Sequence, residues 1–120
     1  MLKGIHLTSI GNRNMLLEPG DGLDPGSPDE YVVDLMQILQ KSNAQTLMYD
    51  LKNVPLIDAV YYAWLVKLHR LCIVSNMDFI VTNIRPTAAF SLATSLKEAP
   101  LFKCSLDVDS ARQGIVVNFK

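Results

Sequence analysis

The side chains that most often carry chemistry are few in this sequence and are not spaced to act together. The histidines are His6 and His69, and the cysteines, Cys72 and Cys104, lie far apart in apolar stretches. On a helix, His69 and Cys72 would be three residues apart, a spacing that can bind a metal, but a half-buried structural histidine is the commoner outcome. Buried, reduced thiols are expected because cysteine is among the most buried residue types.

The acidic residues of the first long loop do not form a recognisable site either. Their spacing and the prolines between them do not match a calcium-binding loop; these residues are Asp21, Asp24, Asp29 and Glu30. No glycine-rich loop followed by Lys-Ser or Lys-Thr is present, and no Gly-x-Gly-x-x-Gly motif follows a predicted strand. Since no set of acid, base and nucleophile can be assembled, we expect a protein that is not an enzyme and that needs no cofactor or metal.

Length and charge limit the other functional classes. The 120 residues, of which 49% are hydrophobic and 19% charged, suffice for one core and predict a single domain over residues 1–120. A net charge of −1 provides no field that would attract nucleic acid. No apolar run approaches the roughly 20 residues that span a membrane, and the N-terminus does not resemble a secretory signal. We therefore expect a cytoplasmic protein without membrane insertion.

The first third of the chain predicts a hairpin, a loop and a helix. Apolar pieces at 4–10 and 15–19 flank the turn-forming residues 11–14, and the loop 20–26 is rich in Gly, Pro and Asp. Residues 27–30, Ser-Pro-Asp-Glu, match a capping box and predict a helix start. The apolar face of this helix is predicted to comprise Val32, Val33, Leu35, Met36 and Leu39, with the helix ending at Ser42–Asn43.

Strands and helices then alternate to the end of the chain. The patterns predict strands at 46–51, 77–84 and 101–106, and helices from Asp58 to about Val74, at 86–97 and from Asp107 or Asp109 to about Val117. Short connections between alternating elements favour parallel pairing. The fold class predicted is α/β, with a mixed, mostly parallel sheet, an antiparallel N-terminal strand and helices packed on it.

One segment combines a strand, a tight proline-containing connection and a carboxylate at a helix start. It is Asp50-Leu51-Lys52-Asn53-Val54-Pro55-Leu56-Ile57-Asp58. Asp58 would accept hydrogen bonds from free backbone N–H groups and meet the positive end of the helix dipole. Considered alone, this residue needs no role beyond that of a helix cap.

The same segment resembles the hallmark stretch of STAS domains (sulfate transporter and anti-sigma-factor antagonist). A second segment, Val81-Thr82-Asn83-Ile84-Arg85-Pro86, resembles the Gly-Ile-Arg-Pro turn of stressosome scaffold proteins, a subgroup of that family. The resemblance covers residues 45–117. It implies a STAS-like α/β domain that acts by binding other proteins.

Two departures from the family pattern affect regulation. The family's usual phosphoacceptor, a Ser or Thr directly after the second Asp, is Ala59, which has no hydroxyl, and the usual Gly of the turn is Asn83. Asn tolerates turn conformations. The resemblance places a second phosphoacceptor candidate at Ser91 on the third helix, which it shares with Thr87 and Ser95. The alternative is that Ser91 is simply a small residue that packs or faces water.

The start of the second helix carries an apolar belt, independently of any family. Residues 60–66 are apolar or aromatic, whereas Lys67 and Arg70 come only later. Since a helix on a sheet buries one face, the remainder of a belt needs another covering surface. The partner-binding residues we predict are Asp58, Ala59, Val60, Tyr61, Ala63 and Trp64. Alternatively, the third helix or the N-terminal loop covers this side from within the chain.

The resemblance to STAS domains implies an anti-sigma-factor-antagonist-like protein. Its expected partner is an anti-sigma factor or a switch protein kinase of the ATP-binding type, with assembly into homo-oligomers or with other STAS proteins in a stressosome-like complex. The alternative is a non-catalytic accessory subunit, for example of a lipid-transport system.

Overall fold

The computed structural model describes residues 3–95 and 102–114, which form a five-stranded sheet with helices on it. The strands lie in chain order: β1 (Ile5–Ser9), β2 (Asn14–Pro19), β3 (Thr46–Asp50), β4 (Asp78–Thr82) and β5 (Lys103–Ser105). β1 pairs antiparallel with β2, and every later pair is parallel. The predicted fold class is confirmed.

The hairpin forms because its turn residues tolerate left-handed backbone. Asn12 and Arg13 have φ values of 51° and 61°, and Gly11 has a φ of 89°. The Arg13 guanidinium donates to the backbone oxygen of Asn43 at 2.7 Å and to its side-chain oxygen at 2.9 Å. The turn of the hairpin is therefore tied to the end of the first helix.

The described residues form four α-helices in the predicted order: α1 (Val32–Lys41), α2 (Ala59–Val74), α3 (Pro86–Ser95) and α4 (Val108–Arg112). The ends predicted for the third and fourth helices, Lys97 and Val117, and the start of the last strand at Leu101 lie outside the described residues. Asn76 ends α2 with a φ of 60°, as its sequence position suggested. No described helix is long and apolar enough to cross a membrane.

The capping box predicted before α1 is wrong. Ser27 makes no side-chain cap; its hydroxyl donates to the Asp24 carboxylate at 3.1 Å. That carboxylate also accepts from Gly26 N, so Asp24 organises the loop and leaves a short 3-10 turn, Pro28–Glu30, before α1. Val33 was placed wrongly too, because it is 63% exposed and lies off the buried stripe of α1.

The main core lies between one face of the sheet and the helices that precede β5. It contains Leu17, Leu47, Tyr49 and Val81 from the sheet and Leu35, Leu39, Trp64, Leu65, Leu68, Ala88 and Leu92 from α1, α2 and α3. Side chains alternate across a strand, so Met48 and Ile80 point to the opposite face, where they pack with Ala111 of α4. Both sheet faces are thus covered, and α2 contributes more buried residues to the larger core than any other described helix.

Candidate functional site

The start of α2 is fixed by Asp58, which is exposed and in an extended conformation. Its carboxylate accepts a hydrogen bond from the backbone N–H of Tyr61 at 2.8 Å. The cap satisfies one of the free donors of the first turn and sets the residue at which the helix begins. The prediction for Asp58 as the helix cap is confirmed.

The two STAS-like motifs meet at the carboxyl end of β3. The buried Asp50 carboxylate accepts from the backbone N–H of Lys52 at 2.9 Å and from the side-chain amide of Asn83 at 3.1 Å. Asn83 has a φ of 58°, so it adopts the left-handed conformation that glycine favours. The substitution in the second motif is therefore accommodated, and the Asn83 amide adds a contact that a glycine could not make.

Ser91 on α3 holds the segment that leads into α2. Its hydroxyl accepts a hydrogen bond from the backbone N–H of Ile57 at 3.0 Å and donates to the backbone oxygen of Ala88 at 2.9 Å. The structure therefore brings Ser91 within contact of the residue that precedes the Asp58 cap. Sequence reasoning had placed Ser91 on the third helix without indicating this contact.

Exposed apolar side chains lie on both elements that meet at this junction. Val60 keeps 52% of its surface exposed and Leu56 keeps 64%, while Ala59 and Ala63 are also exposed. Phe90, next to Ser91 on α3, is 72% exposed. Sequence reasoning missed Leu56 and Phe90; the buried pair Ala88 and Leu92 at a spacing of four could have indicated that Phe90 faces outward.

Trp64 does not belong to this surface, and the prediction that it is left uncovered is wrong. It is 1% exposed, and its indole N–H donates to the hydroxyl of Tyr49 at 2.9 Å. The ring of Tyr31, which immediately precedes α1, meets the indole edge-on at 5.6 Å. Leu65 is fully buried, as expected. The cover of Trp64 therefore comes from Tyr49 on β3 and from Tyr31 before α1, and neither lies on the third helix.

Tyr61 is half-buried and links the exposed and buried parts of α2. Its hydroxyl lies 2.7 Å from the hydroxyl of Tyr49, which also accepts from Trp64. Burial raises the pKa of Tyr61 to about 12, so its hydroxyl keeps its proton at neutral pH. The three side chains form a continuous hydrogen-bonded chain from the core to the edge of the exposed surface.

The thiols and the imidazole lie in apolar surroundings. Cys72 and Cys104 are free and buried, as predicted, and burial raises the pKa of both thiols to about 12. His69 is half-buried beside Phe79 and Phe102, and burial, followed by the nearby positive charges, lowers its pKa. Within residues 3–95 and 102–114, no group of three or more potential ligands is positioned to hold a metal ion.

Comparison with known proteins shows which solved structures share this architecture. Neither a family model nor a curated protein sequence matches this chain. The structure superposes on a serine-to-glutamate variant of RsbS from Moorella thermoacetica with a TM-score of 0.76 at 15% identity, covering 91% of this chain and 94% of that one. A chain from the molecular architecture of the stressosome, described as a signal integration and transduction hub, gives a TM-score of 0.76 at 14% identity, covering 92% and 95%.

A third solved structure, the NMR structure of the protein TM1081, gives a TM-score of 0.72 at 15% identity, covering 89% of this chain and 85% of that one. The three superpositions extend over nearly the whole of each chain, whereas the identities are low. Together with the hydrogen-bonded meeting of the two motifs at Asp50 and Asn83, they establish that this chain has a STAS-like fold.

Proposed function

We propose that this chain is a cytoplasmic signalling protein of the anti-sigma-factor-antagonist type, which binds an anti-sigma factor or an ATP-binding switch kinase and catalyses no reaction. The observation that carries the proposal is the exposed apolar surface at the start of α2. We call it the docking surface and define it by the apolar residues Leu56, Ala59, Val60, Ala63 and Phe90 together with the carboxylate of Asp58. Contiguous exposed apolar residues mark association sites, and the half-buried Tyr61 lies at the edge of this one.

The structural neighbours support assembly as part of the same proposal. One of them belongs to a stressosome, and it superposes over 95% of its length. We propose that this chain likewise assembles with further copies or with other STAS proteins while its docking surface engages the kinase or anti-sigma factor.

Regulation at this surface would come from Ser91, because Ala59 cannot be phosphorylated. A phosphate on Ser91 adds a charge of about −1.5 to −2 beside the Asp58 cap. It also replaces the hydroxyl hydrogen that is donated to Ala88 and crowds the hydrogen bond from Ile57. We infer that phosphorylation would loosen the connection between α3 and the docking surface and weaken binding.

Mass spectrometry of the protein isolated from stressed cells tests this regulation. We expect phosphate on Ser91, or next on the exposed Thr87 of the same helix, and none at residue 59. Phosphate found only elsewhere, for example on Ser110, would remove the stressosome-like switch from the proposal.

A matched pair of variants tests the docking surface itself. Val60 and Val33 are each the second residue of a helix, and they are 52% and 63% exposed. Both Val60→Asp and Val33→Asp should fold, because the carboxylate lies at the favourable end of a helix dipole. Only Val60→Asp should weaken partner binding, by about 2 kcal/mol or roughly thirtyfold, the cost of losing an apolar anchor.

Affinity purification with the wild type and both variants from the native cell gives the measurement. The wild type and Val33→Asp should retain a kinase or anti-sigma factor that Val60→Asp loses, and Ala59→Asp should also weaken binding. Equal retention by all four proteins would refute the docking surface. Retention of transport components in place of a kinase would support the accessory-subunit alternative.

A further inference from the structure

A groove runs beside the docking surface, between the loop that follows β2 and the connection that follows β3. It encloses about 670 Å³, and its walls include Leu23, Pro25, Val54, Pro55, Leu56 and Tyr61. We propose that this groove receives an extended, basic segment of the protein partner. The inference rests on the proposed function, since Leu56 belongs to both the groove and the docking surface.

The backbone of the groove favours a ligand that brings its own donors. Pro25 and Pro55 have no backbone N–H. The N–H groups of Leu23 and Val54 are already bonded to Gly20 O and Leu51 O within the chain. At these four positions the backbone has no free N–H group, so the groove there can offer only carbonyl oxygens, which suit Lys, Arg and backbone donors of a bound segment.

The charged side chains around the groove are mainly acidic, which is complementary to a basic segment. Asp21 lines it, and the exposed Asp24 and Asp58 lie next to lining segments. Of the neighbouring cations, Lys52 is paired with Glu18 at 3.4 Å and with Asp50. Lys3 lies against Gly22. Among these described side chains the net charge is negative, so a positively charged segment is attracted and salt screens that attraction.

Tyr61, which lines the groove, carries a hydroxyl group that can act as a donor to a peptide backbone. Tyr49 is fully buried and accepts from Trp64, so its own hydrogen is satisfied only by donation to Tyr61. The hydrogen of Tyr61 is then left without an acceptor among the described residues. A carbonyl oxygen of an extended segment lying in the groove would supply that acceptor. A small polyamine, which is also basic, has no carbonyl oxygen and would not supply it.

Photocrosslinking in the native cell tests the occupant. Leu56 and Val60 are each replaced, in separate proteins, by p-benzoylphenylalanine, and the adducts are identified by mass spectrometry. We expect the Leu56 probe to label a partner peptide with Lys or Arg close to the attachment point. Adducts to an acidic segment, adducts to a second copy of this chain, or adducts at Val60 without any at Leu56 would overturn the groove proposal. Adducts at neither position would overturn the proposed function as well.

The labelled peptide, made synthetically, then gives a quantitative test against the intact protein. Asp21→Asn should weaken its binding by about two- to fivefold, as expected for one exposed ion pair, and the difference should shrink in high salt. Asp34→Asn, an equally simple change on the exposed side of α1, is the control and should bind like the wild type. Equal binding by both variants and the wild type would overturn the role of charge in the groove.

Discussion

The first and second turns of α2 have similar apolar composition but opposite surroundings. In the first turn, Ala59 and Val60 are exposed, Val60 by 52%, whereas Trp64, Leu65 and Val66 in the second turn are buried. Tyr31 and Tyr49 cover the indole. An apolar belt therefore shows that a helix has more apolar surface than one sheet face can bury, but it does not show which residues remain uncovered.

Trp64→Ala should give the largest effect. Removing a buried indole leaves a cavity in the main core, so the free energy of unfolding should fall by about 3 to 5 kcal/mol. Val60→Ala, on the uncovered turn, should cost less than about 0.5 kcal/mol. Urea unfolding of both variants gives the measurement. A loss below about 1 kcal/mol for Trp64→Ala would mean that the second turn is exposed after all.

Tyr49→Phe should give the next largest effect. It removes the hydrogen-bond acceptor of the Trp64 indole N–H while leaving the ring in place, and an unsatisfied buried donor costs about 1 to 3 kcal/mol. Tyr62→Phe is the control, because the hydroxyl of Tyr62 has no hydrogen bond among the described residues. If the two variants unfold at the same denaturant concentration, the buried hydrogen-bonded chain does not contribute to stability.

Asp58→Ala should cost about 1 kcal/mol through the loss of the cap of α2. Asp107→Ala removes the equivalent cap of α4, where the carboxylate accepts from Ser110 N at 2.7 Å, and should cost a similar amount. Only Asp58→Ala should also weaken binding to the partner. Parallel unfolding and binding titrations separate the two roles, and equal binding by both variants would leave Asp58 as a cap alone.

The smallest effect concerns pH and the carboxyl-terminal half of α2. Burial lowers the pKa of His69 in the folded protein, so below about pH 6.5 the unfolded chain binds a proton that the folded chain does not. Stability should therefore fall as the pH drops below that value. His69→Gln should show a shallower loss between about pH 6.5 and 5 in thermal unfolding, and identical slopes would contradict the shifted pKa.

The predictions from sequence succeeded where the signal was local. The hairpin turn at residues 11–14, the Asp58 cap and the left-handed Asn76 each depend on the conformational preferences of a few adjacent residues. The capping box at Ser27 failed because the Asp24 carboxylate, three residues earlier, takes the serine hydroxyl. Two local motifs compete for the Ser27 hydroxyl, and the pattern of residues 27–30 does not include Asp24, which binds it.

The sequence by itself determined the order of elements, the mixed, mostly parallel sheet and the two motifs that indicated a STAS-like fold. Only the tertiary structure decided that Trp64 is covered, that Ser91 binds the backbone of Ile57, and that Leu56 and Phe90 are exposed. The physical reason is the range of the interactions. Backbone preferences and periodicity act within one element, whereas the exposure of a side chain depends on residues brought to it from distant parts of the chain.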